Sequence, residues 1–464
     1  MIAPEFTTNA APSPRPLPST GASTGVLEAL AFFRDGDFAR RRFERFGNVY
    51  ETRLLGQPLV FIRGGRAIQE LLAQPEASEG WWPASVKQLL GSRSLANRNG
   101  ADHRARRRVV GQLFSAAALR RYSPGIVALV NDLAGELRAA TAPVPLVERL
   151  RRFAFTVIAQ VVLGLADDDR EALFRDFEIW TRALFSVPLA LPGTPFARAI
   201  AARARLLERL GATLRATRLR AAAGEPVPGG LDLLLGGLDE AGLPLEDDDL
   251  VEQLLLLLFA GYETTASSLS CLMAAVLTHP EVEAWLRPEI AALPWPPEAA
   301  PSSGPADGAA APRLAAVVSE VMRLTPPVGG FFRRTTRPLD LDGVVVPAGE
   351  VVQVALAATH RYSNTASPDG PPDDLETFRP QRHLEGEAGF TLLPFGGGER
   401  VCLGKALAEL EIRLMAVGLL RGARLALLPD QDLSLATIPS PSPRGGLLVL
   451  PAAAPSAGAA GAAA

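Results

Sequence analysis

Apolar residues recur every three or four positions through most of the chain from residue 101 to 279, the period of helices that bury one face. The clearest case is 246–279, EDDDLVEQLLLLLFAGYETTASSLSCLMAAVLTH, with acids in its opening turn and Pro280 just after its end. This predicts a single helix roughly 50 Å long. Its first half is apolar nearly all round, so it is expected in a core. A membrane span is not expected, because Glu263 and the hydroxyls of Thr264, Thr265, Ser267 and Ser268 follow directly on the apolar run 254–260. Alternation replaces helical period in two places. After the basic amphipathic stretch FARRRFERF, short strands are predicted over 49–54 and 58–62, turned at Gly56-Gln57, and a second strand-rich stretch covers 334–356. The fold class is therefore mainly α with a minor β-sheet (α+β).

Three segments carry no period to bury: a Pro/Ser/Thr-rich lead-in over 1–25, the Pro/Ala/Gly-rich insert 293–312, and the tail 451–464. All three are expected to be mobile, leaving one domain over 26–450. Lysine plus arginine (47) nearly balances aspartate plus glutamate (50), and a net charge of -3 argues against nucleic-acid binding by bulk charge. The two cysteines, Cys271 and Cys402, exclude a disulfide scaffold and a self-contained Cys/His zinc site and suit a reducing cytosol. The lead-in has no apolar stretch long enough for a signal peptide or transmembrane anchor. A cytoplasmic protein is expected, at most peripheral at membranes.

Candidate chemistry sits at two points. In AGYETT, 260–265, a glycine, a carboxylate and two β-branched hydroxyls weaken the long helix. A threonine hydroxyl can bond back to the carbonyl four residues earlier, and a glycine lets the groove open, although packing irregularity explains such a run equally well. The second point is LLPFGGGERVCLGKALAELE, 392–411. Cys402 precedes an amphipathic helical pattern, so its sulfur lies at a helix start, where unpaired amides favour a thiolate able to ligate a metal. Gly396, Gly397 and Gly398 permit close backbone approach. A phosphate loop is excluded, since Glu399 and Ala406 stand where glycine and Ser/Thr are required. Cys271, between apolar helical neighbours, reads as core.

Phe395, Gly398, Arg400, Cys402 and Gly404 form a five-point pattern by which the chain resembles the cytochrome P-450 family of haem-thiolate monooxygenases. The resemblance implies haem b held between the long helix and the Cys-loop helix, with Cys402 as axial iron ligand. It implies cofactor contacts from His103, Arg107, Arg333, Phe395, Gly396, Arg400, Gly404 and Ala260. Glu263 and Thr264 would deliver protons during oxygen activation. Glu320 and Arg323, in SEVMRLTPP, with Arg382 of FRPQRH, would form a buried cluster that maintains the fold. Glu148 and Arg151 repeat the Glu-x-x-Arg spacing and read as a surface pair. RLTPPVGGFFRR and the late LLPDQDLSLATIPSPSPRGGL look most like the branch that hydroxylates retinoic acid and its bacterial relatives. His383, His103 and Phe331 depart from the commoner residues at their positions.

The expected reaction is insertion of one atom of O2 into a hydrophobic small molecule, retinoid- or isoprenoid-like. Substrate contacts are expected from 328–332, the Ala260 face, 437–439, the loop after Trp82, and 184–196. No flavin or nicotinamide fingerprint is present, so electrons would come from an acidic ferredoxin or flavodoxin with its reductase, docking near Arg104, Arg106, Arg108, Lys405 and Arg413. The alternatives are a peroxide-using or isomerising haem-thiolate enzyme and a non-catalytic haem protein. The Glu263-Thr264 pair disfavours both.

Overall fold

Alternation builds a five-stranded sheet, in the spatial order Val49–Leu54, Gln57–Ile62, Val351–Ala355, Gly330–Thr335, Ser78–Gly80. In the strand Gln57–Ile62, Val60 and Ile62 join one buried cluster with Ile68, Val352 and Val354. Leu59 and Phe61 join another with Phe38, Phe43, Tyr50 and Trp81. Successive side chains point to opposite faces, and both faces are covered, which is why this strand reads as a continuous apolar run. Register is set by Val49 opposite Ile62 and Tyr50 opposite Phe61, whose rings stack at 5.4 Å. The central pairing, Val60 with Val352, is parallel.

The computed structural model describes residues 15–21, 25–35, 38–54, 56–165, 170–184, 186, 188–297, 310–363, 375–386 and 389–452. Most of the insert and of the lead-in, and nearly all of the tail, lie outside them. Two compact units result. The sheet belongs to the first, formed by Met1–Trp81, Gly330–Asp373 and Gly389–Glu399. The second, Trp82–Gly329, Asp374–Ala388 and Arg400–Ala464, is mainly helical.

The strand expected from residue 334 starts four residues earlier, at Gly330. A Cβ there would fall 2.3 Å from the Val354 carbonyl oxygen, so a glycine that reads as loop is what lets the two strands close.

The second unit is built around the long helix, Asp247–Thr278, one residue shorter at each end than its pattern predicts. It packs against Leu146–Thr156, Pro195–Ala222, Pro312–Leu324 and Lys405–Gly422. Among the described residues it alone is long and apolar enough to cross a membrane, and most of that stretch is buried inside the unit. The α-helix runs through 260–265 without a break. A Cβ at Gly261 would lie 3.1 Å from the Ile158 side chain, so this glycine admits a neighbouring helix and does not open a groove. The helix Lys405–Gly422, read as amphipathic, is buried from Leu410 to Leu420 at every position except the half-buried Arg413, because the helices Ala116–Ala139, Asp247–Thr278 and Pro280–Ala292 pack around it.

Candidate functional site

Cys402 lies in a turn three residues before the helix Lys405–Gly422, and it is exposed where Cys271 is buried. Two features favour its anion: the Gly404 amide donates to the sulfur, and the Arg107 guanidinium lies beside it. Although the residue is exposed, desolvation of its sulfur by the protein packed close by outweighs both and pushes the thiol pKa up. The helix-start advantage expected from sequence is thus real but smaller than the desolvation opposing it. Arg107 Nη2 donates to the Val401 carbonyl at 2.6 Å, tying the helix Gly100–Gly111 to the Cys402 turn. His103, one turn earlier, is buried. Arg400 donates to the Arg98 carbonyl and to Asn99 Oδ1, just ahead of that helix.

Of the cations expected on a partner surface, Arg104, Arg108 and Lys405 are exposed and Arg413 is half-buried. Arg106 contradicts the expectation. It is buried, pairing with Glu240 at 2.7 Å and Asp249 at 2.9 Å. On a helix, residue 106 projects well away from the face shared by 104 and 108, so helical period alone could have separated it.

Arg333, Phe395 and Gly396 belong to the first unit. Arg333 sits half-buried on its strand, opposite Val352, with its guanidinium 4.5 Å from the Phe331 ring centroid. Gly396 has φ of 70° and donates to the Leu393 carbonyl at 3.0 Å, a left-handed conformation that favours glycine. A Cβ on it would meet Phe331 at 3.8 Å, so the residue that departs from the family pattern packs over this glycine.

Along the long helix, Ala260 is the only exposed residue between Asp249 and Leu277. Thr264, one turn on, donates its hydroxyl to the Ala260 carbonyl at 2.7 Å, the back-bond its sequence position suggests. Glu263 points elsewhere. It is 4 % exposed, and Arg151 Nη2 donates to its Oε1 at 3.2 Å. Arg151 Nη1 donates to the Tyr262 hydroxyl at 3.3 Å. Burial pushes the Glu263 carboxyl up from the ordinary carboxylate range, with Arg151 pulling against it. Sequence spacing had treated Arg151 as a surface arginine pairing with Glu148; no local signal links it to residue 263.

The Glu320 cluster is closed and complete. Arg323 donates to both carboxylate oxygens at 2.8 and 2.9 Å, and Arg382 Nε and the Arg379 amide each donate to Oε1 at 3.0 Å. His383 Nε2 lies 2.8 Å from Oε2, so the histidine that stood out in the sequence is a further partner. Burial pushes Glu320 up, but the hydrogen bonds from Arg323, His383 and Arg379 more than reverse it, bringing the carboxyl down to about 2.

An accessible thiol bracketed by an amide and a guanidinium, with Arg400 and His103 on neighbouring elements, suits a thiolate-ligated haem and its two carboxylates. Among the described residues no group of three or more His, Cys, Asp and Glu could hold a metal ion.

Comparison with known proteins agrees. The cytochrome P450 family model matches residues 34–451. Cytochrome P450 120 of Synechocystis is 35% identical, with 91% of this chain and 93% of that protein covered. Cytochrome P450 26B1 of Danio rerio is 32% identical over 90% of this chain and 83% of its own length. A solved structure of retinoic acid bound cyanobacterial CYP120A1 superposes with a TM-score of 0.82 at 34% identity, covering 95% of this chain and all of that one. At 21% identity, CYP102L1 shares the fold with a TM-score of 0.79. With the family model and the relatives each spanning most of the chain, the protein belongs to the cytochrome P450 family: a haem b monooxygenase that uses O2, a small-molecule substrate and a redox partner.

Proposed function

We propose that the protein hydroxylates a lipophilic carboxylic acid of retinoid or isoprenoid type, with Cys402 as the residue whose thiolate would hold the haem iron. Bound haem supplies the oxygen-activating and C–H-oxidising chemistry; the chain's residues bind, orient and move protons. His103, Arg107 and Arg400 of the second unit would hold haem carboxylates by charge-assisted hydrogen bonds; Gly404 of that unit and Arg333, Phe395 and Gly396 of the first are further residues that would contact the group. Ala260, exposed on the long helix, would be a further haem contact. Thr264, whose hydroxyl is anchored on the Ala260 carbonyl, would hold and pass on a proton beside it. Glu263, reaching the Arg151 and Tyr262 side, passes protons inward.

The observation that carries the thiolate assignment is the accessible Cys402 sulfur with the Gly404 amide on it. The substrate class rests on the relative solved with retinoic acid bound. Exposed Arg104, Arg108 and Lys405 form the face for an acidic ferredoxin or flavodoxin; Arg106 is removed from it by its buried ion pairs.

Reduced holoenzyme under carbon monoxide is expected to show the red-shifted Soret band of thiolate-bound haem, and Cys402→Ser to lose it. A histidine-type band in the wild-type protein would overturn the assignment. For the substrate, titration with all-trans-retinoic acid is expected to shift the haem spin state at lower concentration than terpenes or steroids do. No response to retinoic acid beside a clear one to a neutral steroid would reject the acid.

A further inference from the structure

The opening turns of the long helix hold more buried polar contacts than a helix start requires. Asp247 is exposed and pairs with Arg218, which suits an acid serving the helix dipole. Asp249 is different. It is 3 % exposed, and its Oδ2 accepts from Arg98 Nη2 at 2.7 Å and from Arg106 Nε at 2.9 Å. Its Oδ1 accepts from the Gln253 side-chain amide at 2.9 Å. Gln253 in turn donates to the Arg93 carbonyl at 2.7 Å and accepts the Leu95 amide at 2.8 Å. Glu252 accepts the Arg93 amide at 2.7 Å and Arg203 at 2.6 Å. Asp249, Glu252 and Gln253 therefore grip both ends of the segment 93–98.

That segment ends where the propionate cations begin. The Arg98 carbonyl and the Asn99 side chain are the acceptors that orient Arg400, and the helix bearing His103 and Arg107 starts at Gly100. Arg106 lies on that same helix, so Asp249 holds the helix directly as well as through the segment before it.

We propose that Asp249 is a positioning residue for haem retention: by clamping Arg98 and Arg106, it sets the orientation of Arg400 and of the helix carrying His103 and Arg107. The inference rests on the reading that those three residues hold the propionates. The physical reason is the burial of the clamp. Removing its single negative charge takes away the one carboxylate that the half-buried Arg98 and the buried Arg106 share, leaving each its outer partner, Asp102 for Arg98 and Glu240 for Arg106, and the two guanidiniums re-pair by moving the segment whose backbone positions Arg400.

The test is the rate at which the holoenzyme yields haem to excess apomyoglobin, measured for the wild type, Asp249→Asn, Arg400→Gln and the double variant. Each single variant is expected to lose haem about tenfold faster or more, the scale typical of groups that orient a cofactor's contacts. The double variant is expected to fall clearly short of the product of the two single effects, because part of what Asp249→Asn loses acts through Arg400. Asp247→Asn, which breaks only an exposed pair, is expected to match the wild type. A wild-type rate in Asp249→Asn beside a fast Arg400→Gln overturns the inference and leaves the propionate reading standing. Full additivity in the double variant also overturns it, since Asp249 would then act by general destabilisation. A wild-type rate in Arg400→Gln refutes the propionate reading itself. Should Asp249→Asn not accumulate as holoenzyme, Gln253→Leu frees the same segment without stranding a charge and carries the same expectation and the same refutation.

Discussion

Two glutamates in the helical unit, Glu320 and Glu263, are both removed from solvent, yet they sit in opposite electrostatic situations. Glu320 collects two guanidiniums, a histidine ring nitrogen and a backbone amide, and its carboxyl is brought down to about 2. Glu263 has one guanidinium at 3.2 Å, shared with a tyrosine hydroxyl, and its carboxyl stays above the ordinary range. Burial alone raises both. What separates them is the number of donors the surrounding elements bring. A carboxylate surrounded by donors is locked in one charge state and serves as structure, while one left with a single partner can still gain and lose a proton.

The sharpest way to break this comparison is to neutralise the locked member. Glu320→Gln strands Arg323 and Arg382 in the core and is expected to cost about 3–5 kcal/mol, seen as a lower denaturant midpoint and poor accumulation of holoenzyme. A change under 1 kcal/mol would show that the cluster does not hold the fold. Next comes acid. Because Glu320 is depressed from 4.5 to about 2, its contribution is complete above pH 4.5 and is lost as pH falls toward 2; the amount is on the order of 3 kcal/mol. Glu320→Gln should therefore flatten the acid limb of a stability–pH curve in that window, and an unchanged limb would assign acid unfolding to other groups.

The open member should respond in turnover. Glu263→Gln is expected to slow product formation about a hundredfold while moving stability much less than Glu320→Gln does, the signature of a proton-transfer group. Equal losses of stability in the two variants would erase the distinction. The smallest effect sharpens it: Arg151→Gln removes the only cation opposing burial at Glu263 through a direct hydrogen bond, so the Glu263 pKa rises further. The acid limb of kcat against pH is then expected to move to higher pH. A shift to lower pH, or none, would show that Arg151 does not control this proton.

Much of the architecture was legible because its cause is local. The long helix has its first-turn acids, apolar turns and stop signal in one continuous stretch, and the two hairpin strands flank a single short turn. The Cys402 turn could be read for the same reason: its five marks lie within ten residues. Contacts made across the fold were not legible. Arg151 looked like half of a surface pair because its spacing from Glu148 matches that of Glu320 and Arg323. His383 looked like a departure until Glu320 was found beside it, and Gly261 looked like an opening until Ile158 was found against it. Arg106 was the avoidable error, since its place two residues from both Arg104 and Arg108 already assigned it to another helical face.

By itself the chain's order of residues determined that a mainly helical body would form, that one cysteine would stand at a helix start amid glycines, and that an acid and an alcohol would follow the apolar run of one long helix. Folding decided how each charge is answered: which glutamate is saturated with donors, which keeps one partner, and which arginines turn inward. Helical and strand periods act between near neighbours along the chain, whereas the charge state of a buried group depends on whatever distant segment is packed against it.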